Sequence, residues 1–130
     1  MIQAIIQSAL EEKEAIRLLW KEELEKRSSH EFSAYLEHTE ENEALFQMLF
    51  SYFTDFQPVH SDHLTGLLEQ LLNNSWPAVY LNMTMQSFRN AAGRIVTRRM
   101  ESGAEQVYPV LNEWLDAVVN LNTHLAGLKK

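Results

Sequence analysis

Between Glu69 and Arg89 the chain runs nineteen residues, Gln70 to Phe88, without a charge, although 22% of its residues are charged. That is close to the length of a bilayer span, about 20 apolar residues. Yet the run carries Asn73, Asn74, Pro77, Asn82 and Gln86, and its apolar residues are interrupted. It does not read as a membrane span. It is predicted to lie buried in protein, and its neutrality asks for cover on more than one side.

Punctuation and spacing make the fold class all-α. There are four Gly and three Pro in 130 residues, and no stretch alternates β-branched with polar residues. A chain of this length buries about two-thirds of its unfolded surface, enough for one core, so 1–130 is expected to be a single domain of about five to six helices. The first stretch, 2–27, reads as one helix or two pieces in line around the charged run at 11–14. Ser28 and Glu31 have the spacing of a capping box, ahead of a short helix through Phe32, Tyr35 and Leu36. Helices of about 40–56 and 62–74 follow, separated at Pro58, with Ser61 as a cap for the second. Ser75 or Trp76 is expected to cap a helix with Pro77 at its start. That helix runs to about Met100 and stops at Gly103. The last covers about 105–127, with a kink or restart near Pro109.

The last two helices each show two apolar sets. Val107, Leu111, Trp114, Val118, Leu121, Leu125 and Leu128 alternate at four and three, as in a coiled-coil seam. Val110, Leu115 and Val119 point away from it. In the preceding helix Leu81, Met85, Phe88, Ala92 and Ile95 share one face, with Tyr80, Met83 and Ala91 turned aside. A surface helix needs only one stripe. Either both helices are central in the fold, or they pair with their copies in a homodimeric four-helix bundle. The dimer is the expectation.

The chemistry is sparse. Cys is absent, which removes disulfides and thiolate ligands. No phosphate-cradling Gly loop, H-E-x-x-H or G-x-S-x-G occurs, so no enzyme is expected. His60, Asp62 and His63 form a small group that lacks further ligands for a metal. They read as solvated or capping residues. His30, His38 and His124 are isolated. Residues 1–56 hold five Lys/Arg against twelve Asp/Glu, while 57–130 hold six of each. An acidic front half argues against nucleic acid or an anionic membrane as partner. Arg89, Arg94, Arg98 and Arg99 read as helix-end charges. The opening MIQAIIQSALEEKEAI has no basic segment followed by a long apolar one, so no secretory leader is expected. A cytoplasmic location is.

Five Met, six Phe, four Tyr and three Trp concentrate in the helices of about 40–56, 77–100 and 105–127. Such side chains fill an ordinary core, or line an adaptable apolar tunnel. An acyl tail of about fourteen methylenes gains on the order of 10 kcal/mol on burial. Its carboxylate needs donors, and Tyr80, Asn82, Thr84 or an Arg are candidates.

The order of landmarks resembles a known family. "LLW" (18–20) in the first helix, an aromatic-rich long helix and a Leu-rich one lead to "AVYLNMTMQSFR" (78–89) and "LNEWLDAVVNLNTHL" (111–125). This is similar to the non-haem globin sensor domains at the N-termini of RsbR-type stressosome proteins. It is also similar to the sensor domains of sporulation histidine kinases and to stand-alone sporulation-inhibitory proteins. The resemblance implies a globin-like fold, dimerised through the last two helices and joined to a phosphorylatable or kinase output that this chain lacks. If the chain is whole, it is most like the stand-alone inhibitors. Those are thought to bind a fatty acid, with a small inorganic anion as a possible second ligand, and to compete with a homologous sensor kinase for the signal. If the chain is trimmed, it is a sensor domain. Haem is not expected, because the segment 68–77 offers no proximal His.

The expected function is thus non-catalytic sensing of a hydrophobic small molecule in sporulation or stress signalling. The expected pocket is lined by Phe46, Leu49, Phe50, Phe53, Leu68, Tyr80, Phe88, Trp114 and Val118. The alternative is a ligand-free interaction module, adapter or inhibitor, acting through its acidic N-terminal half.

Overall fold

The charged run at 11–14 divides the first stretch in two. At Glu12 the backbone leaves helical geometry (φ −108°, ψ 21°), separating α1 (Ile2–Glu11) from α2 (Lys13–Arg27). The computed structural model describes residues 2–55 and 61–128, with backbone alone for 61 and 62. The chain is all-α, and no strand occurs among the described residues. After α2 come α3 (Ser33–Leu36), α4 (Thr39–Asp55), α5 (Ser61–Asn73), α6 (Ala78–Arg99) and α7 (Val107–Gly127). One-turn 3-10 segments, His30–Phe32 and Ala104–Gln106, lead into α3 and α7. Among the described residues, seven α-helices in place of five or six follow from the break at Glu12 and from α3 standing apart as a single turn. Pro58 and His60 lie outside the described residues, as do the side chains of Ser61 and Asp62.

Local signals resolve differently at three boundaries. Ser28 does not cap forward. Its hydroxyl donates back to the Leu24 carbonyl at 2.8 Å and closes α2, while the 3-10 turn after Ser29 has no side-chain cap. Ser75 likewise ends α5 rather than starting α6. It adopts a left-handed φ of 69°, the Trp76 amide donates to the Leu71 carbonyl (3.0 Å) and the Ser75 amide to that of Leu72 (3.1 Å). That pair of bonds is a Schellman closure. Helix α6 ends at Arg99, and Gly103, at φ 77°, instead opens the 3-10 turn before α7. Pro109 sits within the first turn of α7, where a missing amide hydrogen costs no intrahelical bond, and the change of pitch falls just ahead of it at Val107.

The buried apolar residues form one cluster drawn from α1, α2, α4, α5, α6 and α7. Helix α6 is its centre. It packs chiefly on α2 and α7, and also touches α1 and α4. Ten of its residues are buried, from Tyr80 to Val96. Cover from several helices of the same chain therefore accounts for most of the uncharged run.

Helix α7 lies antiparallel to α6. Near one end the Asn122 amide donates to the Ala78 carbonyl (3.1 Å) and to Asn82 Oδ1 (2.8 Å). Near the other, the ring of Tyr108 occupies the space above Gly93, so close that a Cβ there would lie 2.4 Å from the ring. The Arg89 guanidinium covers the same ring at 5.3 Å and donates to Asn112. Contacts with both α5 and α6 explain why α7 has more than one apolar set.

Candidate functional site

Helix α4 repeats aromatic residues at 46, 50 and 53, one face of a helix, and aims them at Phe88 of α6. The Phe46 and Phe88 centroids are 5.7 Å apart, Phe50 and Phe88 6.3 Å, and Phe53 and Phe88 6.1 Å. Trp114 of α7 closes the far side, 4.8 Å from Phe88 and 6.2 Å from Phe53. Trp20 of α2 extends the group through Phe46 at 5.2 Å. These separations are those of rings in direct contact. All are buried, with Phe50 and Trp114 each 2% exposed.

The fold thus brings together Phe46, Phe50, Phe53, Phe88 and Trp114. Leu49, Leu68 and Val118 are fully buried in the same core. Tyr80 belongs to a second ring group, with Tyr35 (5.5 Å), Trp76 (5.6 Å) and Phe32 (6.1 Å). Its hydroxyl donates to Asn42 Oδ1 at 2.7 Å, and the Asn42 amide is spent on the Tyr35 and His38 carbonyls. Burial pushes the Tyr80 phenol well above its usual range. Sequence spacing did not single out Trp20, Tyr35, Trp76 or Asn42 for the site. Only Trp20, within "LLW", carried a signal.

Polar groups near the core are mostly engaged. The Trp20 indole donates to the Thr84 carbonyl at 2.9 Å, and the Thr84 hydroxyl donates to Leu81 at 2.6 Å. Asn82 accepts from Asn122. Arg94 meets Glu23 at 3.0 Å, and Arg99 forks between Glu11 and Glu12. Hydrogen bonds from Gln7 and Arg99 hold the Glu11 carboxyl below its ordinary range. Among the described residues, the Trp114 indole N–H, buried among rings, has no acceptor, and the Ser87 and Thr97 hydroxyls and Asn122 Oδ1 also lack partners.

Clefts lie around this core. One of about 190 Å³ has Trp20, Leu24 and Leu36 as apolar lining and Lys21, Glu25, Thr39, Asn42 and Glu43 as polar lining. Another of about 200 Å³ is lined by Met48, Ser51, Tyr52, Asp55 and His63. Neither includes Phe46, Phe88 or Trp114, so a guest among those rings needs them to turn aside. Among the described residues, no group of three His, Asp or Glu is placed to hold a metal ion. No helix there is long and apolar enough to cross a membrane.

No family model, curated protein or solved structure matches the chain.

Proposed function

We propose that this chain is a non-catalytic, globin-like sensory domain that takes a long-chain fatty acid among the rings of α4, α6 and α7. The observation that carries the reading is the unbroken ring run from Trp20 through Phe46, Phe88 and Phe53 to Trp114, ending on a buried indole N–H without an acceptor. A core selected for stability alone gains nothing from an orphaned donor, which costs about 1–3 kcal/mol. Flat rings that rotate about χ1 and χ2 yield space to a flexible tail more readily than branched aliphatics wedged in fixed rotamers.

In this reading the domain is a cytoplasmic homodimer and uses no haem. It acts in sporulation or stress signalling by competing with a sensor histidine kinase for the ligand, and a small inorganic anion is a further candidate ligand. The dimer draws support from the outer strip of α6, where Val79 is 60% exposed and Met83 half-buried, beside uncharged Gln86 and Asn90.

Native mass spectrometry of the purified protein, followed by solvent extraction and lipid analysis, tests both parts. A dimer mass with an extractable fatty acid supports the reading. A protein that stays empty after incubation with long-chain fatty acids overturns the ligand.

A second reading is an interaction module without ligand. The closed contacts of the rings favour it, as do the exposed carboxylates Glu22, Glu25, Glu31, Glu37 and Glu40 on the α2–α4 side. Its partner would be basic, and an empty protein in the same experiment favours it.

A further inference from the structure

A fatty acid in the ring cluster needs a cation for its carboxylate, because burying that charge unpaired is prohibitive. The cations suggested by sequence are mostly committed elsewhere. Arg89 is on Asn112 and Asn90, Arg94 on Glu23, and Arg99 on Glu11 and Glu12. Arg17 and Lys21 share Glu43, and Lys26 pairs with Glu22.

Lys13 is different. It is the first residue of α2, set at the break after Glu12. Its ammonium lies 5.0 Å from the centre of the Phe50 ring. Among the described residues no carboxylate lies within ion-pair distance of it, and the adjacent Glu14 is held first by the hydrogen bonds of Arg17 and only more weakly by the charge of Lys13. Phe50, 2% exposed, is the ring of the cluster that this cation covers. So a half-buried cation without an ion-pair partner among the described residues stands over one ring of the cluster. A cation over a ring face at an exposed site is only weakly held, and a carboxylate that accepts charge-assisted hydrogen bonds is a stronger partner.

We propose that Lys13 is the head-group residue of this site. Its ammonium holds the carboxylate of a long-chain acid beside Phe50, while the tail runs inward between Phe46, Phe50 and Phe88. The assignment rests on the ligand reading above and adds to it a point of entry and a charge preference. An acid is held over a neutral amphiphile of equal length.

The test is binding of hexadecanoic acid and of hexadecanol to delipidated full-length protein, wild type and Lys13→Gln, followed by tryptophan fluorescence. The wild type is expected to favour the acid by about fivefold. Lys13→Gln loses that preference and keeps its affinity for the alcohol, whereas Lys13→Arg retains the preference. A Lys13→Gln protein that still prefers the acid, or that loses both amphiphiles equally, overturns the head-group assignment while the pocket stands. A wild type that binds neither amphiphile removes the pocket, and the assignment with it.

Discussion

Trp20 donates its indole N–H to the main-chain carbonyl of Thr84 at 2.9 Å, joining α2 to α6 across 64 residues of chain. Trp114, as deeply buried, makes no such bond. The two tryptophans therefore offer a controlled comparison.

Replacing either by Phe removes similar volume from the same core. Trp20→Phe also loses a buried hydrogen bond, whereas Trp114→Phe removes a buried donor that has no acceptor, so the first is expected to destabilise the ligand-free protein by about 2–4 kcal/mol more than the second. Urea unfolding of the two variants measures the difference. Equal losses would mean that the Trp20 bond adds nothing net.

The phenol of Tyr80 supplies a pH signature. Burial raises its folded-state pKa above the unfolded value near 10. Its contribution is therefore intact below about pH 10 and is lost as pH climbs from there toward the folded value. The unfolding midpoint should fall across that alkaline range more steeply in the wild type than in Tyr80→Phe. At neutral pH Tyr80→Phe is expected to be less stable by about 1–3 kcal/mol, since Asn42 Oδ1 loses its donor. Parallel alkaline profiles would contradict the burial argument.

Gly93 and Tyr108 predict a reversal of sign. Alanine is normally the better helix residue by about 1 kcal/mol, yet here its Cβ would strike the Tyr108 ring. Gly93→Ala should destabilise the wild type and stabilise a Tyr108→Ala background. A double-mutant cycle reads this directly, and additivity would rule out the close approach.

At Ser75 the left-handed backbone is strained for a residue with a Cβ. Ser75→Gly should raise stability by about 0.5–1 kcal/mol, seen as a higher urea midpoint at unchanged slope. A lower midpoint would mean that the serine side chain contributes more than its backbone costs.

These positions also mark where sequence reasoning reaches and where it stops. The uncharged run and the doubled apolar sets made the burial of α6 legible, because neutrality and spacing report cover directly. They do not say whose atoms provide it. An apolar stripe has the same period whether it meets α2 of its own chain or a second copy. Phe46, Phe50 and Phe53 were readable as one face of a helix, and Phe88 and Trp114 as inward residues of theirs. Tyr80 read as part of the same group, but its contacts with Tyr35 and Asn42, distant in the chain, and with nearby Trp76 put it in a second one. Ser28 and Glu31 had the spacing of a cap, and a serine after a helix serves equally well by bonding backward. Lys13 was hidden in a run of Glu, where a lysine reads as solvated until the ring beneath it is known.

The central position of α6 also sets an order of events during synthesis. Helices α1, α2 and α4 leave the ribosome before the helix they rest on exists. Until Thr84 and Phe88 have emerged, Trp20 has no carbonyl to bond, and the phenylalanines of α4 have no Phe88 to close against. The nascent chain thus carries its most aromatic segment uncovered while the residues between Asp55 and Phe88 are made. Its acidic front half, with twelve carboxylates in the first 56 residues, keeps neighbouring unfinished chains apart by mutual repulsion during that interval.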